Sequence, residues 1–184
     1  MKHQLPAVLE TKRLILRPFM ENDGDAMFRN WASDPEVTKY LTWPTHTNVE
    51  ISRTIAGKWA LGSGEPGFYQ WAIVPKELKE PIGSISCVHT DEATSSVEIG
   101  YCIGRKWWGQ GFTPEALHAL IRFFFEEVGA LRVCARHDIN NPNSGKVMAK
   151  CGMTYEGTLR RSAVNNQGIH DICWYSILRE EYKG

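Results

Sequence analysis

The sequence predicts an α+β fold, and three observations carry that expectation. Seven runs rich in β-branched, aromatic or alternating apolar residues are spread along the chain. A glycine-rich turn, GRKWWGQG from Gly104 to Gly111, empties into a strongly patterned helix. No internal repeat, linker or low-complexity tract interrupts the 184 residues, so 1–184 reads as a single domain.

Taken in order, Arg13 to Phe19 (RLILRPF) alternates as a first strand, Glu21 to Ala32 has helical spacing, and Asp34 to Tyr40 reads as a short helical turn. Leu41 to Asn48 (LTWPTHTN) is a loop, and Val49 to Leu61 is helical up to the breaker GSGEPG at 62 to 67. Three β-rich segments follow, Phe68 to Val74, Pro81 to His89 and Ser96 to Ile103, separated by polar turns around Lys76 to Glu80 and Asp91 to Thr94. Beyond the glycine loop, Thr113 is expected to cap the long helix and Pro114 to take its first position. Leu117, Leu120, Ile121, Phe124 and Val128 keep helical spacing down to Gly129. Leu131 to Asp138 is a further strand, NNPN leads into a helix from Ser144 to Cys151, and strands at Thr154 to Ala163 and His170 to Leu178 flank an Asn165 to Gly168 turn.

The glycine loop has two readings, a tight turn before a well-capped helix or an anion site. Gly109 and Gly111 carry no Cβ, so a phosphate can approach backbone N–H groups aimed along the helix dipole. Two known loop types are excluded. The pattern GxxxxGK[ST] fits Gly104 and Gly109, but Gln110 and Gly111 stand where lysine and hydroxyl belong. The pattern GxGxxG starts at Gly109 and Gly111, but its third glycine is Pro114. A loop holding a pyrophosphate through backbone groups is what remains.

Composition narrows the function classes. Lysine plus arginine and aspartate plus glutamate both total 21, a formal net charge of zero, which argues against a nucleic-acid binder. MKHQLPAVLETKR has no apolar core of signal-peptide length, and no stretch approaches a membrane span, so the expectation is a cytoplasmic protein without a membrane partner. Five cysteines, at 87, 102, 134, 151 and 173, have no CxxC spacing, and the six histidines are scattered, so reduced thiols and no metal site are expected.

The order of parts resembles the GNAT superfamily of acyl-CoA N-acyltransferases and, within it, the RimJ/RimL branch that acetylates ribosomal-protein N-termini. The resemblance runs from TKRLILRPF through VEIGYCIGRKWWGQGFTPEAL and NNPNSGKVMAKCGMTYEGTLRR to HDICWYSILREEY. The superfamily's pyrophosphate motif [RQ]xxGx[GA] places its glycines on Gly109 and Gly111, with Lys106 as a departure at the first position. The resemblance implies a central mixed, mostly antiparallel sheet of about seven strands, flanked by helices and splayed between strands four and five. It implies acetyl-CoA as cosubstrate, with Tyr101, Cys102 and Ile103 as backbone partners of the pantetheine arm. Trp108, Gly109, Gln110, Gly111, Phe112 and Thr113 would surround the pyrophosphate.

A second signature, NxxS, falls on Asn141 and Ser144. Unaided it reads as a turn and a helix cap. The resemblance implies that Asn141 contacts the cofactor and that Ser144 supplies a proton or hydrogen bond to the departing thiolate. For the base, relatives of this branch place a glutamate where Ala163 stands here. Glu98, in VEIGY, matches the glutamate other GNAT enzymes use and is the first choice, ahead of Tyr155, Glu156 and His137. On the acceptor side, Tyr40 and Trp43 are the candidate substrate contacts, with Trp43 expected to be exposed. The expected reaction is acetyl transfer to a primary amine, foremost a protein or peptide N-terminus such as that of a ribosomal protein, by direct attack in a ternary complex. A small-molecule amine, a catalytically silent acyl-CoA module and an interaction domain that binds no coenzyme A are the alternatives, and both a monomer and a homodimer fit the sequence.

Overall fold

Eight strands form one sheet in the order β1-β2-β3-β4-β5-β6-β8-β7. They are β1 (Leu9–Glu10), β2 (Leu14–Pro18), β3 (Gln70–Pro75), β4 (Gly83–Asp91), β5 (Ser96–Ile103), β6 (Arg132–Asp138), β7 (Thr154–Asn165) and β8 (Gly168–Leu178). The computed structural model describes residues Met1–Gly184. The eighth strand, missed by the sequence reading, is β1. It is two residues long, too short to carry a period, and is defined only by its pairing with Ile15 and Leu16.

Every neighbouring pair is antiparallel except β5 and β6. That parallel pair has only three registers, Ser96↔Arg132, Val97↔Val133 and Glu98↔Cys134. Beyond Glu98 the two strands part, although β5 continues to Ile103 and β6 to Asp138.

Helices cover both faces. On one side α4 (Phe112–Phe123) packs Leu117, Leu120 and Ile121 into a core with Leu14, Leu16, Trp71, Ile73, Ile85, Val97 and Ile99. On the other, α1 (Gly24–Met27), α2 (Pro35–Thr38) and α3 (Val49–Gly62) enclose Met27, Trp31, Val37 and Ala56 against Ala72, Val74 and Cys102. This two-sided covering explains why β3 reads as an unbroken apolar run: Trp71 and Ile73 serve one core, Ala72 and Val74 the other.

Three helix boundaries differ from the sequence reading. Glu21 to Ala32 is not one helix but a 3-10 turn, α1 and a π-helical turn in succession. The helix α4 begins at Phe112 with left-handed Gly111 at its cap, so Thr113 lies inside the first turn and does not cap it. Pro114 is tolerated there because the first-turn N–H groups have no helical acceptor. At its far end a π-helical turn, Phe124–Val128, widens the helix so that Phe123, Phe124 and Phe125 are all buried. Finally, α5 spans Pro142–Lys150 with Asn141 at its cap, so Ser144 sits within the first turn and is not the cap residue.

Candidate active site

The parting of β5 and β6 is where backbone hydrogen bonding becomes available to a ligand. The Gly104 N–H donates to the Ile82 carbonyl, which by strand alternation turns the backbone groups of Cys102 toward β4. Tyr101 and Ile103 therefore present theirs to the gap. The Ile103 carbonyl is bonded by Trp108 Nε1 at 2.8 Å. Of the three expected strand partners, Tyr101 keeps both backbone groups for the gap, Ile103 keeps its N–H, and Cys102 is committed to the sheet.

Past β5 the chain makes a 3-10 turn at Arg105–Trp107 and enters the glycine loop. Gly109 and Gly111 have φ of 74° and 79°, a region costly for any residue with a Cβ. No chain group accepts from the backbone N–H of Gly109, Gln110, Gly111, Phe112 or Thr113. Five consecutive donors at the positive end of α4 form a cradle suited to a pyrophosphate.

The cradle opens into a cavity of about 390 Å³. Its walls include Tyr101, Cys102, Ile103, Trp108, Gly109, Gly111, Thr113, Asn141 and Ser144, with Tyr40 and Leu41 contributed by the segment that follows α2. Lys146 and Lys150 of α5 add positive charge to the same wall. Gln110 and Phe112 lie outside this lining. Gln110 faces the outer flank, where its side chain donates to the Lys106 carbonyl at 2.9 Å and its own carbonyl accepts from Arg13 at 2.9 Å. The Phe112 ring carries the Arg13 guanidinium, 4.4 Å from its centroid.

Ser144 meets Tyr101 across the gap. The phenol oxygen is 3.0 Å from Ser144 Oγ and 3.0 Å from the Ser144 carbonyl. Burial pushes the Tyr101 phenol well above its ordinary range, so it stays a neutral donor. The Asn141 side chain makes no capping bond and is left facing the cavity. Next to Ser144, Gly145 lies against the His137 ring: a Cβ there would come within 2.6 Å of His137 Nε2. That nitrogen is buried without a partner, while His137 Nδ1 bonds the Asp138 carbonyl at 2.7 Å. His137 is therefore packed against α5 and does not line the cavity.

The remaining base candidates are placed as follows. Glu98 occupies the last paired position before the strands part, with Oε1 2.6 Å from Arg136 Nε. It is buried and lies outside the cavity lining. Glu156 is held by Arg132 at 2.6 Å and Ser176 at 2.7 Å. Tyr155 is exposed and bonds Thr158. Ala163 lies on β7 opposite His170.

Trp43 departs from its expected exposure. It is half-buried against the α1–α3 core, 5.2 Å from the His46 ring, and does not line the cavity. A proline-containing loop suggests solvent, but here the loop folds back on the core, with the His46 N–H on the Ala32 carbonyl. One residue that sequence reasoning missed is Asn166, in the β7–β8 turn. Its side chain donates to the carbonyls of Thr38 (2.9 Å) and Trp43 (2.8 Å), and its N–H to that of Leu41 (3.2 Å). Only a turn signal marked it, because its partners are 123 or more residues away.

The cysteines are free, and four of the five are buried. Burial raises the thiols of Cys102 and Cys134, and raises Cys87 and Cys151 to about 12, so none of these four is poised as a nucleophile. No cluster of three or more metal-ligating side chains is present, and no helix is long and apolar enough to cross a membrane.

Comparison with known proteins agrees with this geometry. The acetyltransferase (GNAT) domain family matches residues 13–154. The N-acetyltransferase p20 of Bacillus licheniformis is 34% identical over 176 residues, 96% of this chain and 98% of that protein. The ribosomal-protein-serine acetyltransferase of Escherichia coli is 28% identical over 138 residues, 74% of this chain and 75% of that protein. A solved GNAT-family acetyltransferase from Bacillus anthracis superposes with a TM-score of 0.82 at 25% identity, covering 95% of this chain and 99% of that one. A sheet parted beside a free-donor loop, and sequence similarity spread along nearly the whole length, lead to one conclusion: the chain belongs to the GNAT family of acetyl-CoA-dependent N-acetyltransferases.

Proposed function

We propose that this GNAT enzyme acetylates the N-terminal amine of a protein or peptide, by direct attack of the amine on the thioester within a ternary complex. The observation that carries the reading is one cavity joining the Gly109–Thr113 donors, the Tyr101–Ser144 hydroxyl pair and the Tyr40–Leu41 wall. The ribosomal-protein-serine acetyltransferase among its relatives supports the choice of acceptor class.

Bound acetyl-CoA supplies an activated acyl group. The chain's own part is to place it and to manage two protons. The loop donors take the pyrophosphate, and the open backbone groups of Tyr101 align the arm much as an added strand would. As the amine nitrogen bonds the acyl carbon and the C–S bond breaks, Ser144 Oγ gives a hydrogen bond or proton to the departing sulfur. The amine loses one proton; Glu98 is assigned to receive it, through water because it lies outside the cavity lining, and on Oε2 because Oε1 is held by Arg136.

The test is release of free thiol across a panel of short peptides, polyamines, amino acids and aminoglycosides. Turnover of peptides with free α-amines, abolished by blocking that amine, is expected. Turnover confined to small amines overturns the acceptor assignment, and tight acetyl-CoA binding without turnover of any amine would show a silent module.

A further inference from the structure

The loop that offers its N–H groups is held in that orientation from outside. Arg13, between β1 and β2, lies on its outer flank, stacked over Phe112. Its Nη1 donates to the Gln110 carbonyl at 2.9 Å and its Nε to Glu115 Oε2 at 2.7 Å. In a trans peptide the carbonyl of one residue and the N–H of the next point in opposite directions. Fixing the Gln110 carbonyl outward therefore turns the Gly111 N–H inward, to the wall of the cavity that Gly111 lines.

Glu115 poses a second problem that Arg13 resolves. A carboxylate in the first turn of α4 complements the helix dipole, but it competes with a pyrophosphate for the same positive end. Glu115 is drawn to the outer flank by Thr11 Oγ1 (2.6 Å), the Arg13 N–H (2.8 Å) and the Arg13 guanidinium. Although burial opposes ionisation, these hydrogen bonds hold its carboxyl below the usual range, so it is charged and needs a counter-ion. One guanidinium fork meets both demands, a geometry that a lysine point charge does not reproduce.

We propose that Arg13 is a positioning residue for the cosubstrate: without touching it, Arg13 pins the Gln110 carbonyl outward and neutralises Glu115, so that the α4 end accepts a pyrophosphate. This rests on the pyrophosphate lying on the Gly109–Thr113 donors. The experiment measures KM for acetyl-CoA, KM for the amine and kcat in folded Arg13→Gln and Arg13→Lys, each with acetyl-CoA and with acetyl-pantetheine, which lacks the pyrophosphate. Arg13→Gln is expected to raise the acetyl-CoA KM roughly ten- to a hundred-fold, the range for losing charge-assisted hydrogen bonds. The amine KM and the acetyl-pantetheine kinetics should stay at parent values, and Arg13→Lys should recover only part of the loss. Adding Glu115→Gln to Arg13→Gln should restore part of the affinity, because the repulsive charge goes with its counter-ion. An unchanged acetyl-CoA KM in both Arg13 variants, or an equal loss with acetyl-pantetheine, overturns the proposal. Gly111→Val separates the two ideas: if it weakens acetyl-CoA binding while Arg13→Gln does not, only the role of Arg13 fails, and if neither matters, the loop assignment fails with it.

Discussion

The Tyr101 hydroxyl stands 3.0 Å from both Ser144 Oγ and the Ser144 carbonyl, joining β5 to α5 across the gap between the parted strands. The phenol has one hydrogen and two acceptors in reach. While that hydrogen lies on the carbonyl, the serine hydrogen is the donor between the two hydroxyls. When it moves to Oγ, the serine hydrogen is free to turn to the sulfur.

Ser144→Ala is accordingly expected to lower kcat by roughly ten- to a thousand-fold with little change in acetyl-CoA affinity. Tyr101→Phe should cost less, about ten-fold, because the phenol only backs the serine. The double variant should be no slower than Ser144→Ala alone, since the pair acts as a unit. Steady-state kinetics on the four proteins checks this, and additive losses would show that the hydroxyls act independently.

For Glu98→Gln, the rate loss should be greatest near neutral pH and shrink toward pH 9. An α-amine with a pKa of roughly 7.7 to 8.0 is increasingly free over that range and needs less help. A loss of equal size at every pH would mark Glu98 as a structural partner of Arg136.

Asn166→Ala removes two side-chain bonds from the loop carrying Tyr40 and Leu41. At about 1 kcal/mol each, they tie the proposed acceptor wall to the β7–β8 turn. The amine KM should rise several-fold while the acetyl-CoA KM stays within about two-fold of the parent. Equal shifts in both would mean that the turn supports the whole sheet.

His46 sets an acid limit. Burial holds its imidazole below its ordinary range, with Nδ1 2.7 Å from Ser52 Oγ. The unfolded chain thus binds a proton more readily than the folded one. The stability contributed by neutral His46 is complete above the unfolded value of about 6.5 and is lost as pH falls through the lower folded value. Melting temperature should fall more steeply below pH 6.5 in the parent than in His46→Gln, and parallel curves would refute the assignment.

How much of this was legible in the sequence depended on the range of the interactions. Gly109, Gly111 and the helix after them announced the donor cradle because turn chemistry and helix onset are local. The seven longer strands were visible for the same reason. What escaped was set by distant partners. The strand β1 exists only through β2, Trp43 is covered by a core its own loop does not reveal, and Asn166 finds its acceptors from the other end of the chain. The helix onsets at Gly111 and Asn141 differ from the sequence reading because a left-handed glycine and a proline begin these helices, while the local pattern favours a hydroxyl cap.

The three-register pairing of β5 with β6 gives the sheet an interior edge. An edge at the rim of a sheet invites other chains to pair and aggregate, whereas this one is flanked by β4 and β8, so only something as narrow as a single extended chain can reach it. The amides of Tyr101 and Ile103 on that edge should be among the fast-exchanging positions of an otherwise protected strand, and should slow selectively as acetyl-CoA is added. Amide exchange at the centre of the molecule then becomes a gauge of cosubstrate occupancy that needs no turnover and no knowledge of the acceptor.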